Sequence, residues 1–284
     1  TSWQDWHEIK DFYTKENNII ATLVEEHNLE RKPLLDKFED NPNWWASLEK
    51  NLQHFRRVEF AGGEPLMDPQ HYRILDMLAP YGHQIEIKYA TNLSTLGIKG
   101  GRNVDEYWSK FRSVAVNVSI DGIGPVYEYI RGNGNWQTVV QNVREIQTIP
   151  NVSRVVGAVA VQVSNILILD KMMEYFLNDL GIVFYTNMVN YPTVLSIQVL
   201  PNELRAIALT KLKTVRELVP KFKYVKENPI LLGITLGQID GVINYLLAKT
   251  TSHSWQECVE FNHKLDETRN QCFEEVTPEF KKYI

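Results

Sequence analysis

The chain has 284 residues, of which 44% are hydrophobic, and this is enough to fill the core of one large α/β domain with an extension. Its formal net charge is −5 and its basic residues are scattered, which counts against a general nucleic-acid binder because such proteins carry a basic face. No run of about 18 or more apolar residues occurs, and the start of the chain lacks the pattern of a signal peptide. We therefore expect a cytoplasmic protein with neither a membrane nor a nucleic-acid partner.

Helices and strands alternate along the first two-thirds of the chain. Apolar residues at three- and four-residue spacing predict the helices, and short apolar segments between them predict the strands. The predicted strands lie near Val58 and at 85–89, 114–120, 155–161 and 182–189. The predicted helices lie at 2–15, 42–55, 72–78, 104–111, 139–146, 168–180, 204–218, 239–248 and 255–269. Strands that alternate with helices are typical of a parallel sheet.

Side chains within the predicted strands alternate between apolar and polar. Val114 and Val116 lie on one face of their strand, and Asn117 and Ser119 lie on the other. A doubly wound sheet covered by helices on both faces has nearly continuous apolar strands instead. The alternation favours an open or incompletely filled barrel with a polar interior.

Three charged residues share the polar face of the first two strands. Glu59 belongs to the strand near Val58, and Glu86 and Lys88 belong to the next strand. Because a charge inside a protein needs a partner, we expect Lys88 to lie within salt-bridge reach of Glu59 or Glu86.

The segment that follows the first strand carries a candidate binding site. Gly62 and Gly63 allow positive φ and a close backbone approach to a ligand, Glu64 adds a negative charge, and Pro65 stops the strand. This arrangement suits a small ammonium group. An ordinary turn between a strand and a helix is the alternative interpretation.

Polar residues also follow later strands. Asn92 comes after the second strand, and Ser119 and Asp121 come at the end of the third. Ligands of parallel α/β folds gather at the carboxyl ends of strands, so these side chains are candidate ligand contacts. Taken singly, each is also a common helix cap or turn residue.

The ordered motifs resemble those of radical S-adenosylmethionine (SAM) enzymes. The motifs are Gly-Gly-Glu-Pro at 62–65, Thr-Asn at 91–92, Ser-Ile-Asp-Gly at 119–122 and Tyr-Ile-Arg-Gly at 129–132. The likeness covers roughly the first 189 residues, and it is greatest to a subgroup with a twitch-type C-terminal domain, which carries similar Leu-Asp, Arg and Pro-Glu residues at 265–279. The resemblance implies an α/β fold with a partial (βα)6 TIM-like barrel at 1–195 and a C-terminal extension at 196–284, which the pattern predicts to be mainly helical.

The resemblance also implies roles for particular residues. Gly62, Gly63 and Glu64 would hold the SAM amino group, with Pro65 fixing the turn. The implied contacts to the rest of SAM are Asn92 and Ser119 at the ribose or amino-acid part, Asp121 nearby, and Arg131 at the carboxylate.

The catalytic centre of this family is a [4Fe–4S] cluster held by a C-x-x-x-C-x-x-C motif. The chain contains only two cysteines, Cys258 and Cys272, and no C-x-x-C pair, so we expect no metal ligands within it. We expect the first barrel strand and the cluster cysteines upstream of Thr1, and the chain alone to be inactive.

Two functions of different class remain open. In the first, the full-length protein is a radical SAM oxidoreductase-type enzyme that cleaves SAM reductively to a 5′-deoxyadenosyl radical and abstracts hydrogen from an unknown substrate. A peptide is a candidate substrate, and ferredoxin or flavodoxin is the expected reductant. In the second, the chain is a cluster-free relative that acts as a binding or scaffold module.

Overall fold

A computed structural model gives the structure of the chain. It describes residues 40–132, 134–248 and 254–284. The helix predicted at 2–15 lies outside the described residues. Backbone packing divides the chain into two compact units. We call the described residues of 40–119 and 137–156 unit A, and those of 120–136 and 157–284 unit B.

The protein has an α/β fold built on a five-stranded parallel sheet with the strand order β1-β2-β3-β4-β5. The strands are β1 (Arg57–Phe60), β2 (Glu86–Thr91), β3 (Ser113–Ser119), β4 (Val152–Val161) and β5 (Val183–Met188). All five predicted strands are confirmed, with ends that differ by a few residues. Unit A contains β1 to β3 and the start of β4, and unit B contains the rest of β4 and β5.

The helices occupy the segments between the strands and the C-terminal part. They are α1 (Pro42–Asn51), α2 (Pro69–Leu78), α3 (Asp105–Trp108), α4 (Pro125–Ile130), α5 (Trp136–Ile146), α6 (Val163–Ile166), α7 (Leu169–Tyr175), α8 (Asn202–Leu218), α9 (Pro229–Leu247), α10 (Trp255–Arg269) and α11 (Phe273–Val276). A π-helical turn at Phe176–Leu180 continues α7. The short helices α4, α6 and α11 were not predicted, because four to six residues give no clear periodicity.

Helix α9 begins ten residues earlier than the predicted helix at 239–248. Pro229 is its first residue, where the missing N–H costs nothing, and the Asn228 side chain accepts a hydrogen bond from the Leu231 N–H at 3.1 Å. The first half of this helix contains glycines and few charged residues, so it shows no clear helical period and its start was not predicted. The described part of 196–284 contains helices and no strand, which confirms the helical character of the extension. The functional boundary between residues 195 and 196 stays a prediction.

The core of unit A forms where alternate residues of neighbouring strands stack. Phe60 of β1 is in register with Tyr89 of β2, which is in register with Val116 of β3. The Phe60 and Tyr89 rings stack with their centroids 5.2 Å apart, and the Trp108 ring lies 5.0 Å from Tyr89. Along β2, buried and half-buried side chains alternate as the sequence pattern predicted.

The charged face of the first two strands contains two ion pairs. The Lys88 Nζ lies 4.0 Å from Glu59 Oε2, which confirms the predicted contact, and Glu86 pairs with Arg57 at 3.1 Å. The side chains of Lys88 and Glu59 are 26% and 53% exposed, so the expectation of buried charges was wrong. A solvent-exposed pair contributes at most about 1 kcal/mol to stability.

Helix α9 is a main packing element of unit B. It contacts β5 and α8. The Gln238 side chain accepts a hydrogen bond from the Thr186 N–H of β5 at 2.7 Å, and Asp240 accepts two from Arg216 of α8 at 2.6 and 3.0 Å. These polar contacts tie the helix to its neighbours in the same unit.

Among the described residues, α9 is long and apolar enough to cross a membrane, judged by length and composition, and 22% of its most apolar window is buried. Thr235, Gln238 and Asp240 interrupt the apolar run, so the sequence contains no uninterrupted span of this length. A helix of a soluble protein can meet the same criterion. The cytoplasmic location and the absence of a membrane partner stay predictions.

Candidate functional site

The Gly-Gly-Glu-Pro turn lies directly after β1, in unit A. Gly62 and Gly63 have φ of 87° and 47°, the left-handed region that favours glycine. A Cβ added at either position would meet no heavy atom within 4 Å, so the space beside this backbone is open. Pro65 is buried and begins a 3-10 turn at Pro65–Met67, which ends the extended segment as predicted.

The Glu64 carboxylate is held by three hydrogen bonds. Its Oε1 accepts from the Thr91 Oγ1 at 2.5 Å and from the Leu66 N–H at 3.3 Å, and its Oε2 accepts from the Asn92 N–H at 2.8 Å. The side chain therefore joins the carboxyl ends of β1 and β2. A carboxylate has about four acceptor positions, so one remains for a further donor such as an ammonium group.

Further contacts in unit A fix the 3-10 turn. The Tyr72 hydroxyl of α2 donates to the Leu66 carbonyl at 3.1 Å. Burial, with smaller effects from Tyr107 and Glu64, raises the pKa of Tyr72 to about 12 and keeps this hydroxyl protonated. The Glu64 turn is therefore held by neutral donors, which leave the negative charge of the carboxylate uncompensated.

Two residues of unit A, Asn92 and Thr91, hold Glu64 in ways that the sequence did not show. Asn92 reaches Glu64 through its backbone N–H, and its side chain accepts from the Ser94 N–H at 2.8 Å. Thr91 carries the side chain that contacts Glu64, although the sequence analysis assigned no role to it. Ser119 is the half-buried last residue of β3.

In unit B, the structure brings Asp121 and Arg131 together. The Arg131 Nη2 lies 2.5 Å from Asp121 Oδ2, and the Asp121 side chain is 6% exposed. Asp121 Oδ1 also accepts from the Ala160 N–H of β4 at 2.7 Å. Arg131 Nε is buried and makes no hydrogen bond within the described residues. The guanidinium therefore keeps donor capacity beyond the Asp121 pair.

Close backbone packing positions Asp121. A Cβ on Gly122 would stand 2.5 Å from the Tyr127 backbone nitrogen, so only glycine fits between Asp121 and α4. The fully buried Asn165 side chain donates to the carbonyls of Asp121 and Ala160, both at 2.8 Å. Sequence reasoning missed Asn165, although a polar residue shortly after β4 follows the same pattern as the earlier strand ends.

A cavity of about 340 Å³ lies beside this pair within unit B. Three charged side chains, Asp121, Arg131 and Arg269, and three aromatic rings, Tyr129, Tyr191 and Phe261, are part of its lining. The volume and the mixed lining are typical of a small-molecule site.

Tyr129 connects the cavity to the C-terminal helices. Its hydroxyl donates to the Asn262 Oδ1 at 3.2 Å. Burial and then the nearby Asp266 carboxyl raise the pKa of Tyr129, and burial likewise raises the pKa of Asp266. The tyrosine therefore enters the cavity wall as a neutral group. Sequence reasoning gave Tyr129 and Arg269 no role, because the hydrogen bond of Tyr129 to Asn262 and the electrostatic effect of Arg269 on Tyr129 join residues more than a hundred positions apart.

The cysteines of this chain do not fit an iron–sulfur cluster. Cys258 is buried, its pKa is raised by burial to about 12, and Asn262 Nδ2 lies 3.5 Å from its sulfur. Both cysteines are free thiols, and no group of three or more metal-ligating residues occurs within the described ranges.

Comparison with protein-family models, curated proteins and solved structures found no match for this chain.

Proposed function

We propose that this chain is the SAM-binding part of a radical SAM enzyme and that its parallel sheet is a partial (βα)6 TIM-like barrel. The parallel order of the strands and the alternation within β2 support a barrel. The proposal rests on the motifs that resemble the family and on the geometry of the turn that carries the first of them.

A single observation carries the proposal: an open double-glycine turn followed by a carboxylate fixed at a strand end. Gly62 and Gly63 leave the backbone accessible, and Glu64 is prevented from rotating by Thr91 and the Asn92 N–H. A cationic ammonium group gains most from an anion that is already oriented, because no side-chain entropy is then lost on binding.

The proposal assigns unit B a contact of its own. Arg131 would bind a carboxylate through the donors that Asp121 leaves unused, and Asp121 would keep the guanidinium in place. Asn92 and Ser119 belong to the proposal through the resemblance and their places at strand ends, and Pro65 through the turn that it begins. When bound, SAM would supply the adenosyl group for hydrogen abstraction. A ferredoxin- or flavodoxin-type reductant, a peptide substrate and a [4Fe–4S] cluster held outside these residues belong to the same proposal.

Calorimetric titration of SAM into Glu64→Gln tests the first contact. The introduced amide can still accept the Thr91 hydrogen bond but lacks the charge, so we expect SAM affinity to fall by about 1.5–3 kcal/mol. Glu86→Gln is the matched control, because it removes a carboxylate from the first residue of β2, at the opposite edge of the sheet in unit A, and it should leave affinity unchanged. Equal affinity of the wild type and Glu64→Gln rejects the site.

Arg131→Lys tests the contact in unit B. Lysine keeps the charge and can still pair with Asp121 but loses the planar fork, so we expect weaker binding of SAM with little change for adenosine, which has no carboxylate. A loss that is the same for SAM and adenosine would show that Arg131 only supports the fold.

A cluster-free binding or scaffold module is the second candidate. The observation that favours it is the set of three internal hydrogen bonds to Glu64, because a carboxylate used only as a structural brace would have the same partners. If the wild-type chain binds neither SAM nor S-adenosylhomocysteine, and the coding sequence upstream of Thr1 holds no C-x-x-x-C-x-x-C motif, this second function is the better one.

A further inference from the structure

The cavity of unit B carries an uncompensated positive charge. Asp121 and Arg131 neutralise each other in their ion pair. Arg269 is the third charged residue of the lining, and within the described ranges it has neither an ion pair nor a hydrogen bond. The lining therefore has an excess of one positive charge, and Arg269 offers its donors to a ligand in addition to those that Arg131 leaves unused.

Arg269 forms no ion pair with Asp266 or Glu274 within the part of the chain that the structure describes. Asp266 lies one turn earlier on α10, and its Oδ2 accepts from the Phe273 N–H at 2.7 Å. Glu274 is engaged with His263 at 3.1 Å. Arg269 also lies in the last turn of α10, where a cation stabilises the helix dipole, but that role alone does not require the cavity.

The rest of the lining favours a ligand whose uncharged part is apolar or aromatic. Phe261 and Tyr129 are buried, and Tyr191 and Pro192 add apolar surface. The neutral Tyr129 hydroxyl already donates its hydrogen bond to Asn262, and it adds no charge to the cavity. A single guanidinium suits a monoanion, and its two parallel N–H groups match a carboxylate.

We infer that the cavity of unit B binds an organic carboxylate with an aromatic or apolar body, anchored by Arg269. The inference that this ligand is the substrate of the enzyme rests on the proposed function. The binding of a carboxylate in the cavity can be tested whether or not the proposed function holds. Two sources share this chemistry: a free small carboxylate, and the C-terminal carboxylate of a peptide.

Calorimetry with a matched pair of probes tests the charge. N-acetylphenylalanine carries the carboxylate, and N-acetylphenylalanine amide has the same body without it. We expect the acid to bind about tenfold or more tightly than the amide, as for one lost charge-assisted contact. Equal affinities, or no binding of the acid at millimolar concentration, overturn the inference.

Variants of the same chain test the anchor. Arg269→Gln should lower the affinity for the acid about tenfold and leave the affinity for the amide unchanged. Arg269→Lys should retain part of the affinity for the acid. Lys213→Gln, which removes an exposed cation from α8 of the same unit, should change neither. An acid affinity that Arg269→Gln leaves unaltered assigns the site to other residues and overturns the inference.

Two further titrations separate the outcomes. Gly-Gly-Phe binding more tightly than N-acetylphenylalanine indicates a peptide C-terminus, and the reverse order indicates a free carboxylate; both support the inference.

SAM affinity in Arg269→Gln should equal that of the wild type. Acid binding without SAM binding leaves the carboxylate site standing and rejects the proposed function, whereas SAM binding without acid binding does the opposite.

Discussion

The Thr91 hydroxyl donates to the Glu64 carboxylate at 2.5 Å and thereby joins the ends of β1 and β2. Thr91 is 2% exposed, so the hydrogen bond lies away from water. A charge-assisted hydrogen bond in such surroundings is stronger than one between neutral groups.

Thr91→Val should lower the free energy of unfolding by about 1–3 kcal/mol, because valine has the same shape but leaves Glu64 without its closest donor. Urea titration gives this free energy. Thr210→Val removes a hydroxyl from an exposed position on α8, and its effect should stay within about 0.5 kcal/mol. A Thr91→Val variant as stable as the wild type would mean that Glu64 does not depend on Thr91.

His71 should make the stability of the protein depend on pH. Its side chain is 3% exposed, it lies 2.8 Å from the Tyr89 hydroxyl, and burial lowers its pKa from 6.5 to about 4. Between these two values the unfolded chain binds the proton and the folded chain does not. The free energy of unfolding should therefore be highest above pH 6.5 and fall by about 3 kcal/mol as the pH falls towards 4.

Comparison of variants isolates the contribution of His71 to this pH dependence. Urea titrations at about pH 7 and about pH 4.5 should show a smaller acid-induced loss in His71→Gln than in the wild type. His54→Gln, at an exposed position, should keep the full loss. If His71→Gln loses as much stability on acidification as the wild type, His71 is not the buried neutral group.

The Asp121–Arg131 pair should contribute more to stability than an exposed pair. Arg131→Met leaves Asp121 buried with the Ala160 N–H as its remaining side-chain partner, and we expect a loss of about 2–4 kcal/mol. Arg57→Met breaks a pair in which the arginine is 63% exposed, and its cost should be about 1 kcal/mol or less.

A double-mutant cycle tests the coupling within this pair. Asp121→Asn should lower the free energy of unfolding less in the Arg131→Met background than in the wild type. In that background the Arg131 charge is absent, so the substitution leaves no guanidinium without its partner. Independent effects of the two substitutions would show that the short contact contributes no coupling energy.

The two cysteines should react with thiol reagents at different rates. Cys258 is fully buried with a pKa raised to about 12 by burial, so very little thiolate exists at neutral pH, whereas Cys272 is partly exposed. Mass spectrometry after brief iodoacetamide treatment should find the label on Cys272, and on Cys258 only after unfolding. Similar labelling of both thiols in the folded protein contradicts the burial of Cys258.

The sequence by itself determined the local elements. Apolar spacing predicted all five strands, and the alternation in β2 predicted which of its side chains are buried. These features depend on the period of a helix or a strand, which a short window of residues already contains. The start of α9 was missed because its early residues lack that period.

Only the tertiary structure decided which side chains meet. Glu64 and Thr91 come together because β1 and β2 lie side by side in one register, and Asp121 meets Arg131 because Gly122 lets α4 approach. The entry of Arg269 into the same cavity depends on how α10 packs within unit B. Contacts of this kind follow from the packing of distant segments against one another. Such packing produces no periodic pattern within a short stretch of sequence, so it could not be predicted from one.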